Sequence, residues 1–385
     1  MPTMPRLEVS IPFSGSRYLP PQAAGQFAQA LEASGVVDHF QAWDQLTSWY
    51  PQALWRPEIA PAAAMIGDCD AFQDAFVSAA FAAAMTTDLG VAVSTDALRR
   101  GPAEILQTML TLSDGVGRPA ICMLGAGELK QALPFGYRRA EGLDRLEDTL
   151  RIMTLLLDEP GLVDHDGHQW KYQGAWIGGA KAHRPRFLAM GGGPRLMQIA
   201  AELADGFVTI APFAFASPEQ YAEAVTSVRR DLERRGRDPE AFTFGLWHAA
   251  LITEDGEDVD QLLDNPLLRF FAAMAGRLDQ KAWAAEGVEA VFPDNWHYAL
   301  KLLPAALSDD EVESVVARTS RRMVERSYTI GSPKEVAETM AAYTEAGATY
   351  HSVCDMAPFV RPMETAASAL AAQIESCRLL KAAAA

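Results

Sequence analysis

Short apolar runs alternate with amphipathic helical stretches along most of the chain. Eight runs have the composition of strands, and apolar residues at helical spacing follow most of them. Such alternation predicts βα units in a parallel sheet, and eight units make a (βα)8 TIM barrel. The predicted strands are LEVSIPF (7–13), VVDHFQAWD (36–44), LGVAVST (89–95), PAICMLGAG (119–127), RFLAMG (186–191), DGFVTIAPF (205–213), FTFGLWHAALIT (242–253) and TYHSVCDMA (349–357).

Two segments interrupt this alternation. Residues 158–178 predict a short hairpin, because the turn-rich DHDG lies between a Leu-Val pair and the aromatic Trp170 and Tyr172. Residues 256–330 contain several helical patterns and no clear strand, which predicts a helical insertion between the seventh and eighth strands. We find no Ser/Gly linker and no long-period repeat, so we expect residues 1–385 to form one α/β domain.

The composition is that of a globular protein, with 49% hydrophobic and 22% charged residues. A net charge of −17 repels phosphate backbones and anionic membrane surfaces, which disfavours nucleic-acid binding. No apolar run approaches the roughly 18 residues of a membrane span, and no secretory signal pattern opens the chain. We therefore expect a cytoplasmic protein without an integral membrane segment. The terminal KAAAA is predicted to be a frayed tail.

Neither the cysteines nor the paired histidines predict a metal site. Cys69, Cys122, Cys354 and Cys377 are widely separated and form no CxxC pair, so reduced thiols are expected. His165 and His168 have a spacing that suggests metal ligands, but no third ligand is evident. A turn containing Asp and Gly explains the DHDG segment more simply.

Polar residues follow several predicted strands at the end where barrel active sites form. An acid, an amide and an indole that converge on one mouth could bind and protonate a substrate, whereas each residue alone is typical of a strand-end cap. The candidates are Asp44, Gln45 and Trp49 after the second strand, Ser94, Thr95 and Asp96 after the third, and Gly125, Gly127 and Glu128 after the fourth.

The sequence GGGPR at 191–195 follows the fifth strand and begins a helix. Consecutive Gly191, Gly192 and Gly193 let the backbone approach a ligand closely, and a helix N-terminus suits a phosphate. The alternative is a tight βα turn that needs glycine for its dihedral angles. The dinucleotide spacing GxGxxG and the P-loop pattern are both absent.

The ordered combination of these motifs resembles the luciferase-like monooxygenase superfamily over nearly the whole chain. The matching blocks are LGVAVSTDALRRGPAEILQTMLTL, PAICMLGAGELKQALPFGY, RLEDTLRIMTLLL with DHDGHQW, FLAMGGGPRLMQIAAELADGFV and GSPKEVAETMAAYTEAGATY. Within the superfamily, GAGE with Glu128, and Trp49 beyond the polar pair 44–45, are similar to the branch that uses the deazaflavin coenzyme F420. DALRRGPA also resembles the phthiodiolone ketoreductase group, which reduces a keto group on a lipid.

The resemblance implies an F420-dependent oxidoreductase that passes a hydride between the deazaflavin C5 and a carbonyl, imine or alcohol carbon of an apolar, lipid-like substrate. It implies that Glu128 exchanges a proton, that Trp49 walls the substrate, and that Asp44 and Gln45 orient ring or substrate. It also implies a cis peptide at Ala92-Val93 and a homodimer. The implied coenzyme-binding residues are Ala92, Val93, Ser94, Thr95, Gly125, Gly127, Gly191, Gly192, Gly193 and Arg195.

Two departures from the branch leave other functions open. Gln45 stands where the F420 branch usually has His, and Gln cannot donate a proton by titrating. Phe213 stands where some relatives have a phosphate-binding Lys, for which Arg195, Arg322 and Arg326 are candidate substitutes. The alternatives are an FMN-dependent luciferase-like monooxygenase and a barrel that binds coenzyme without catalysis.

Overall fold

Residues 7–384 are described by a computed structural model. Every predicted strand is present, usually shortened by one to three residues at its ends. The strands are β1 (Glu8–Phe13), β2 (His39–Trp43), β3 (Gly90–Asp96), β4 (Ile121–Gly125), β5 (Val163–Asp166), β6 (Lys171–Ala175), β7 (Arg186–Met190), β8 (Gly206–Ala211), β9 (Thr243–Ile252), β10 (Thr329–Gly331) and β11 (Tyr350–Asp355).

Helices follow the strands on the outside of the sheet. They are α1 (Gln22–Ala33), α2 (Ala75–Met85), α3 (Pro102–Val116), α4 (Leu129–Ala132), α5 (Gly142–Asp158), α6 (Pro194–Leu203), α7 (Pro218–Arg234), α8 (Val259–Leu263), α9 (Pro266–Ala275), α10 (Ala282–Ala285), α11 (Tyr298–Lys301), α12 (Asp309–Arg318), α13 (Arg321–Ser327), α14 (Pro333–Glu345) and α15 (Ala366–Ala383). Three of the longest, α3, α7 and α14, begin with Pro at the first helical position, where a missing N–H costs nothing.

Eight parallel strands close into a barrel in the order β1-β2-β3-β4-β7-β8-β9-β11. The ring closes between the last strand and the first, with Glu8 in register with Tyr350. This arrangement confirms the predicted TIM barrel. A closed parallel barrel places the carboxyl ends of all eight strands around one mouth.

Two apolar layers hold the barrel together. Inside the ring, Ile121, Met123, Leu188 and Val208 are fully buried and fill the centre. Outside it, the apolar faces of the surrounding helices pack against the outward side chains of the strands. At the bottom of the barrel a polar contact replaces this packing: Ser10 Oγ donates to Gln41 Oε1 at 2.8 Å. The filled centre leaves space for a ligand only at the mouth.

The predicted hairpin is present as the antiparallel pair β5 and β6. Asp148 on α5 anchors it, because its carboxylate accepts hydrogen bonds from the backbone of Gln169 at 2.6 Å and Trp170 at 3.2 Å. Tyr172 Oη accepts another from the Ala103 N–H at 3.2 Å. These contacts tie the hairpin to the sides of α3 and α5.

The predicted helical insertion consists of α8 to α13 and lies between β9 and β11. Its central helix α9 is almost entirely buried, and its apolar side chains form a second core with aromatic residues that follow β2. The sequence missed β10, a three-residue strand that pairs in parallel with the end of β9. Its short run TIG carries no strand signal of its own, and the pairing depends on the neighbouring edge.

Two further features differ from the sequence-based expectation. Helix α2 was not predicted, because its sequence AFVSAAFAAAM is apolar on all sides and has no helical periodicity. The frayed tail is wrong for residues 381–383, which continue α15. Lys381 explains the order there, since its Nζ donates to the Val36 carbonyl at 2.6 Å and lies 2.7 Å from Asp38 Oδ2.

Within residues 7–384, none of the helices combines the length and the apolar character that a membrane crossing requires.

Candidate functional site

A cavity of about 510 Å³ opens at the carboxyl ends of the barrel strands. Its walls come from the barrel loops and from the helical insertion, and they are mainly apolar. Twelve of the predicted site residues line it together: Asp44, Gln45, Trp49, Ser94, Thr95, Gly125, Gly127, Glu128, Gly191, Gly192, Gly193 and Arg195. Residues that are far apart in sequence therefore share one chamber, as the strand-end argument predicted.

Glu128 is the hydrogen-bond acceptor at the centre of one wall. It immediately precedes α4, and its Oε1 accepts the indole N–H of Trp49 at 3.2 Å. Its other oxygen, Oε2, lies 3.1 Å from Lys130 Nζ. Tyr298 of the insertion lies on the same side, and burial together with the Glu128 carboxylate raises the pKa of the Tyr298 hydroxyl. The carboxylate is thus oriented by the Trp49 N–H on one oxygen and by the Lys130 ammonium beside the other.

Lys130 is a buried cation that the sequence analysis missed. Only 2% of its side chain is exposed, and burial lowers the pKa of its ammonium despite the opposing charge of Glu128. It donates to Gln45 Oε1 at 2.5 Å and to the Thr47 carbonyl at 2.7 Å. It also lies 4.6 Å from the centre of the Trp49 ring. One side chain therefore fixes the acid, the amide and the indole of the predicted site.

The side chain of Gln45 is fixed through its oxygen Oε1, and its nitrogen Nε2 remains available to the cavity. Besides Lys130, the side-chain N–H of Gln131 donates to the same Gln45 Oε1. Gln45 lines the cavity, and within residues 7–384 the hydrogen bonds of its side chain are both made by Oε1. Gln45 is consequently a fixed hydrogen-bond donor and does not exchange protons.

Asp44 is bound by two arginines that the sequence analysis assigned no role. Its Oδ2 accepts from Thr95 Oγ1 at 2.6 Å and lies 3.1 Å from Arg99 and 3.3 Å from Arg100. Arg99 also binds Asp96 at 2.6 Å. This buried cluster fixes the ends of β2 and β3. Asp44 thereby orients the wall of the cavity.

The glycine turn forms a cradle with an unused hydroxyl. Helix α6 begins at Pro194 without any side-chain cap, so its first N–H groups remain available. Thr209 Oγ1 is buried and has no hydrogen-bond partner. A Cβ on Gly192 would lie 3.3 Å from this oxygen and 3.1 Å from Ala214 Cβ, so only glycine keeps the space open. Available N–H groups, a hydroxyl and a helix N-terminus fit a phosphate group.

Three expectations about coenzyme contacts are not met. The predicted cis peptide at Ala92-Val93 is wrong: within residues 7–384 the cis peptide is Ala211-Pro212. Both side chains lie outside the cavity, Ala92 in the barrel centre and Val93 against the helices, because a strand points successive side chains to opposite faces. Arg322 and Arg326 do not line the cavity either.

Arg195 is at the cavity but is engaged by acids. It is half exposed, donates to Asp144 Oδ1 and lies 3.6 Å from Glu147. No other basic side chain from the barrel strands reaches the glycine turn among the described lining residues, and Phe213 fills the position of the expected Lys. Backbone and hydroxyl groups therefore dominate the cradle.

The insertion contributes a polar corner: WHYALKLL was a candidate for an apolar pocket lining, and sequence reasoning gave its His297 and Tyr298 no polar role. His297 and Tyr298 line the cavity together with Arg139, and α11 packs on α4 next to Glu128. The rings of His297 and Tyr298 are stacked with centroids 5.3 Å apart. Their only sequence signal is the WHY triplet, which resembles an ordinary aromatic surface patch.

Aromatic rings continue the wall from Trp49. Trp43 packs against Trp49 at 5.5 Å and against Trp247 at 5.6 Å between ring centres. Phe271 of α9 packs edge-on against Trp49 at 6.4 Å. The cavity consequently has a flat aromatic side and a polar side, which suits a planar ring with substituents of different polarity.

The histidine pair of the hairpin lies away from this chamber. His165 Nε2 is 3.7 Å from Asp148 Oδ1, and His168 is exposed. Within the described part of the chain, neither belongs to a cluster of three potential metal ligands.

Comparisons with known proteins agree with this geometry. Residues 11–350 match the family described as luciferase-like monooxygenase. Among curated relatives, a phthiodiolone/phenolphthiodiolone dimycocerosates ketoreductase of Mycobacterium kansasii is 25% identical over 342 residues, covering 87% of this chain and 91% of the relative. An F420-dependent glucose-6-phosphate dehydrogenase of Kineococcus radiotolerans is 24% identical over 327 residues, covering 84% and 82%.

The fold is also found in solved structures. An F420-dependent secondary alcohol dehydrogenase in complex with an F420-acetone adduct superposes with a TM-score of 0.71 at 15% identity, covering 97% of this chain and 99% of that one.

Proposed function

The chain belongs to the luciferase-like monooxygenase family, and we propose that it is an oxidoreductase that uses coenzyme F420. The observation that carries the proposal is the joint presence, in one cavity, of the uncapped glycine cradle and the Glu128–Trp49–Lys130 cluster. Relatives named for F420 chemistry or for keto reduction, aligned over most of the chain, support it.

The residues present fit the coenzyme. Gly192, Gly193 and the free hydroxyl of Thr209 would hold its phosphate, and the tryptophan wall would face its ring. When bound, F420 would supply a hydride carrier that reacts poorly with oxygen. The protein supplies position and charge: Trp49 and Lys130 fix the Glu128 carboxyl, which exchanges the proton. Asp44 and Gln45 keep the wall rigid.

We propose that the substrate is apolar and longer than the cavity. Five large apolar side chains are exposed on the segments around α4, at the mouth. This mouth rim consists of Leu46, Leu133, Phe135, Tyr137 and Leu300. Leu300 also lines the cavity, so the rim continues the apolar wall outward. Exposed apolar patches of this kind mark ligand or partner contacts. An aliphatic chain attached to the reacting carbon would lie along the rim.

FMN is the second candidate coenzyme. The glycine cradle recognises a phosphate, which FMN also carries, and Gln45 removes the titrating side chain expected beside F420. An FMN enzyme with this cavity would be a luciferase-like monooxygenase that activates oxygen. The position of Glu128 between Trp49 and Lys130 favours F420.

A binding titration separates these functions. The purified protein is titrated with oxidised F420 and, separately, with FMN, following tryptophan fluorescence, because three of the eight tryptophans line the cavity. Tight F420 binding with negligible FMN binding is expected. Reduced F420 is then mixed with methyl nonyl ketone, and the return of the oxidised absorbance is followed. Preference for FMN would support the monooxygenase, and F420 binding without any hydride transfer would support a non-catalytic barrel.

We propose that the protein is a homodimer built on α2. This helix is apolar on all sides, yet Val77, Ala80 and Ala84 on one face are exposed. A second copy that covers this face would bury it. Sedimentation analysis of Val77→Glu against the native protein tests this: a monomer is expected for the variant, and a native dimer unaffected by Val77→Glu would contradict the assignment.

We also propose a cytosolic location. All four cysteines are free and buried, and burial raises the pKa of Cys122 and Cys354 to about 12. Thiols in this state suit a reducing compartment.

A further inference from the structure

Most polar groups around the cavity are already engaged by the protein. Asp44 and Asp96 form ion pairs with Arg99. Glu128 accepts a hydrogen bond from Trp49 and forms an ion pair with Lys130. Cys354 remains a neutral thiol, since burial raises its pKa to about 12. A ligand oxygen must therefore bind one of the lining donors that remain unengaged, which include Trp43 Nε1, Gln45 Nε2, Arg139 Nε and the ring of His297.

His297 has such a donor. Its Nδ1 accepts the Ala299 N–H at 3.2 Å, which makes the ring the N-cap of α11. An accepting Nδ1 carries no proton, so the proton of the neutral ring lies on Nε2. The ring lines the cavity, and within residues 7–384 its one hydrogen bond is the one to Nδ1, so Nε2 is not engaged.

The surroundings of His297 keep the ring neutral. Burial and the positive charge of Arg139 lower the pKa of His297, whereas the more weakly acting Glu128 and Asp279 raise it. Protonation would also place a hydrogen on Nδ1, against the Ala299 N–H that points at it. The ring is thus a permanent donor at Nε2 across the neutral pH range.

We propose that His297 binds the oxygen of the reacting carbon through its Nε2–H, and that the substrate is accordingly a ketone or the matching secondary alcohol. The inference rests on the proposed oxidoreductase function and adds the substrate class. A donor-only group favours a carbonyl or alkoxide oxygen over a protonated imine nitrogen, which has no lone pair to accept a hydrogen bond. A neutral imidazole in the same role polarises the carbonyl of triosephosphate isomerase, a worked case of this chemistry.

The roles of the two side chains are distinct in the reduction. When the carbonyl carbon gains a hydride, the π electron pair of the C=O bond moves to the oxygen. His297 stabilises the negative charge by its hydrogen bond and keeps its own proton. The oxygen takes a proton from the protonated form of Glu128, which yields the alcohol and the carboxylate that Trp49 and Lys130 hold. Oxidation of the alcohol follows the same steps in reverse.

Two substitutions at one position test the donor. His297→Asn keeps an N-cap acceptor for Ala299 and removes the Nε2–H donor. His297→Gln returns an N–H donor near the original Nε2. With reduced F420 and methyl nonyl ketone, we expect kcat/KM to fall about a hundredfold in His297→Asn and to recover most of the loss in His297→Gln. His168→Asn, on the exposed hairpin, is the matched control and is expected to behave as the native protein.

A second readout needs neither coenzyme nor turnover. At neutral pH, nitrogen-15 NMR of histidine-labelled protein is expected to show an Nε2–H ring signal that disappears in His297→Asn. Infrared spectra of bound methyl nonyl ketone are expected to show a lowered C=O stretch that shifts back in His297→Asn. An Nδ1–H ring, an unchanged stretch or no ketone binding would each overturn the inference.

These outcomes separate the inference from the function on which it rests. If F420 binds and is consumed while His297→Asn matches the native rate, only the role of His297 fails. If F420 does not bind, the proposed function fails and the NMR form of His297 still reports the geometry.

Discussion

Lys130 Nζ lies 2.5 Å from Gln45 Oε1 and 3.1 Å from Glu128 Oε2, so one buried ammonium links the loop after β2 to the loop after β4. An ammonium that is 2% exposed requires such partners, because burying an uncompensated charge is costly. The pair of contacts makes Lys130 the support of this wall of the cavity, although Lys130 does not line the cavity.

We expect Lys130→Met to destabilise the protein by about 3 kcal/mol, since breaking a buried ion pair leaves Glu128 without its cation. Urea denaturation measures this loss. Lys334→Met removes an exposed cation paired with Glu338 and is expected to change stability by no more than about 0.5 kcal/mol. Equal effects of the two substitutions would show that Lys130 has no special role in the fold.

Glu128→Gln is expected to retain F420 binding and to lose at least about a hundredfold in turnover, because an amide accepts the Trp49 N–H but exchanges no proton. Fluorescence titration and steady-state rates measure the two effects separately. Glu313→Gln, on the exposed side of α12, is the control. Undiminished turnover in Glu128→Gln would remove Glu128 from its assigned role.

Thr209→Val is expected to raise stability and weaken coenzyme binding at the same time. The buried hydroxyl has no partner in the protein, so its removal should stabilise the fold by about 1 kcal/mol. Loss of a phosphate hydrogen bond should weaken F420 binding about tenfold. Thr149→Val removes another buried, unpartnered hydroxyl on α5. This control is expected to stabilise equally and to leave the Kd for F420 unchanged.

The mouth rim predicts a dependence on substrate length. Phe135→Ser should reduce kcat/KM for methyl nonyl ketone and leave the value for acetone unchanged, because only the longer chain reaches the rim. Rates with the two ketones measure the ratio. Leu162→Ser, an exposed change on the hairpin segment, serves as the control. An equal decrease in kcat/KM for both ketones would show that Phe135 supports the structure of the site and does not recognise the aliphatic chain of the substrate.

The buried pair of His248 and His351 predicts a pH dependence of stability. Their ring nitrogens are 2.8 Å apart, and burial lowers the pKa of His248 from 6.5 to about 3 and that of His351 well below 6.5. Below pH 6.5 these two histidines therefore bind protons in the unfolded chain but not in the folded protein. Stability is complete above pH 6.5 and declines as pH falls below it, by about 1.4 kcal/mol per pH unit for each histidine.

Replacing one ring should reduce that decline. His248→Gln keeps a hydrogen-bond donor for His351 and removes one titrating group. Between pH 6 and pH 5 its unfolding free energy should therefore fall less steeply, by about 1.4 kcal/mol per pH unit. Urea denaturation at several pH values measures the slope. His168→Gln, which is exposed, should leave the slope as it is. An identical slope in His248→Gln would show that the pair does not control acid sensitivity.

The barrel fold and the residues at its mouth could be predicted from the sequence, because both follow from the positions of the strands. Each strand is a short buried run, and because parallel barrel strands end at one mouth, Asp44, Thr95 and Glu128 are predicted to lie together. The glycine turn was recognisable because three consecutive glycines have few other uses. The apolar helix α2 was missed because a helix buried or covered on all sides carries no periodicity.

The supporting residues of the site could not be predicted in the same way. Lys130 reads as a surface residue until the fold buries it, and Arg99 binds across two strands whose register the sequence does not specify. His297 lies in an insertion with no fixed position relative to the barrel before the chain folds. Their roles arise from tertiary contacts between segments that are distant in sequence.

The seam between β1 and β11 has a consequence for biosynthesis. Glu8 is in register with Tyr350, so the first strand of the described residues pairs on one side with the last. Throughout elongation β1 keeps an open edge of unpaired N–H and C=O groups, which is a template for aggregation. The barrel closes only after β11 has been synthesised, and we expect the nascent protein to depend on chaperones that shield that edge.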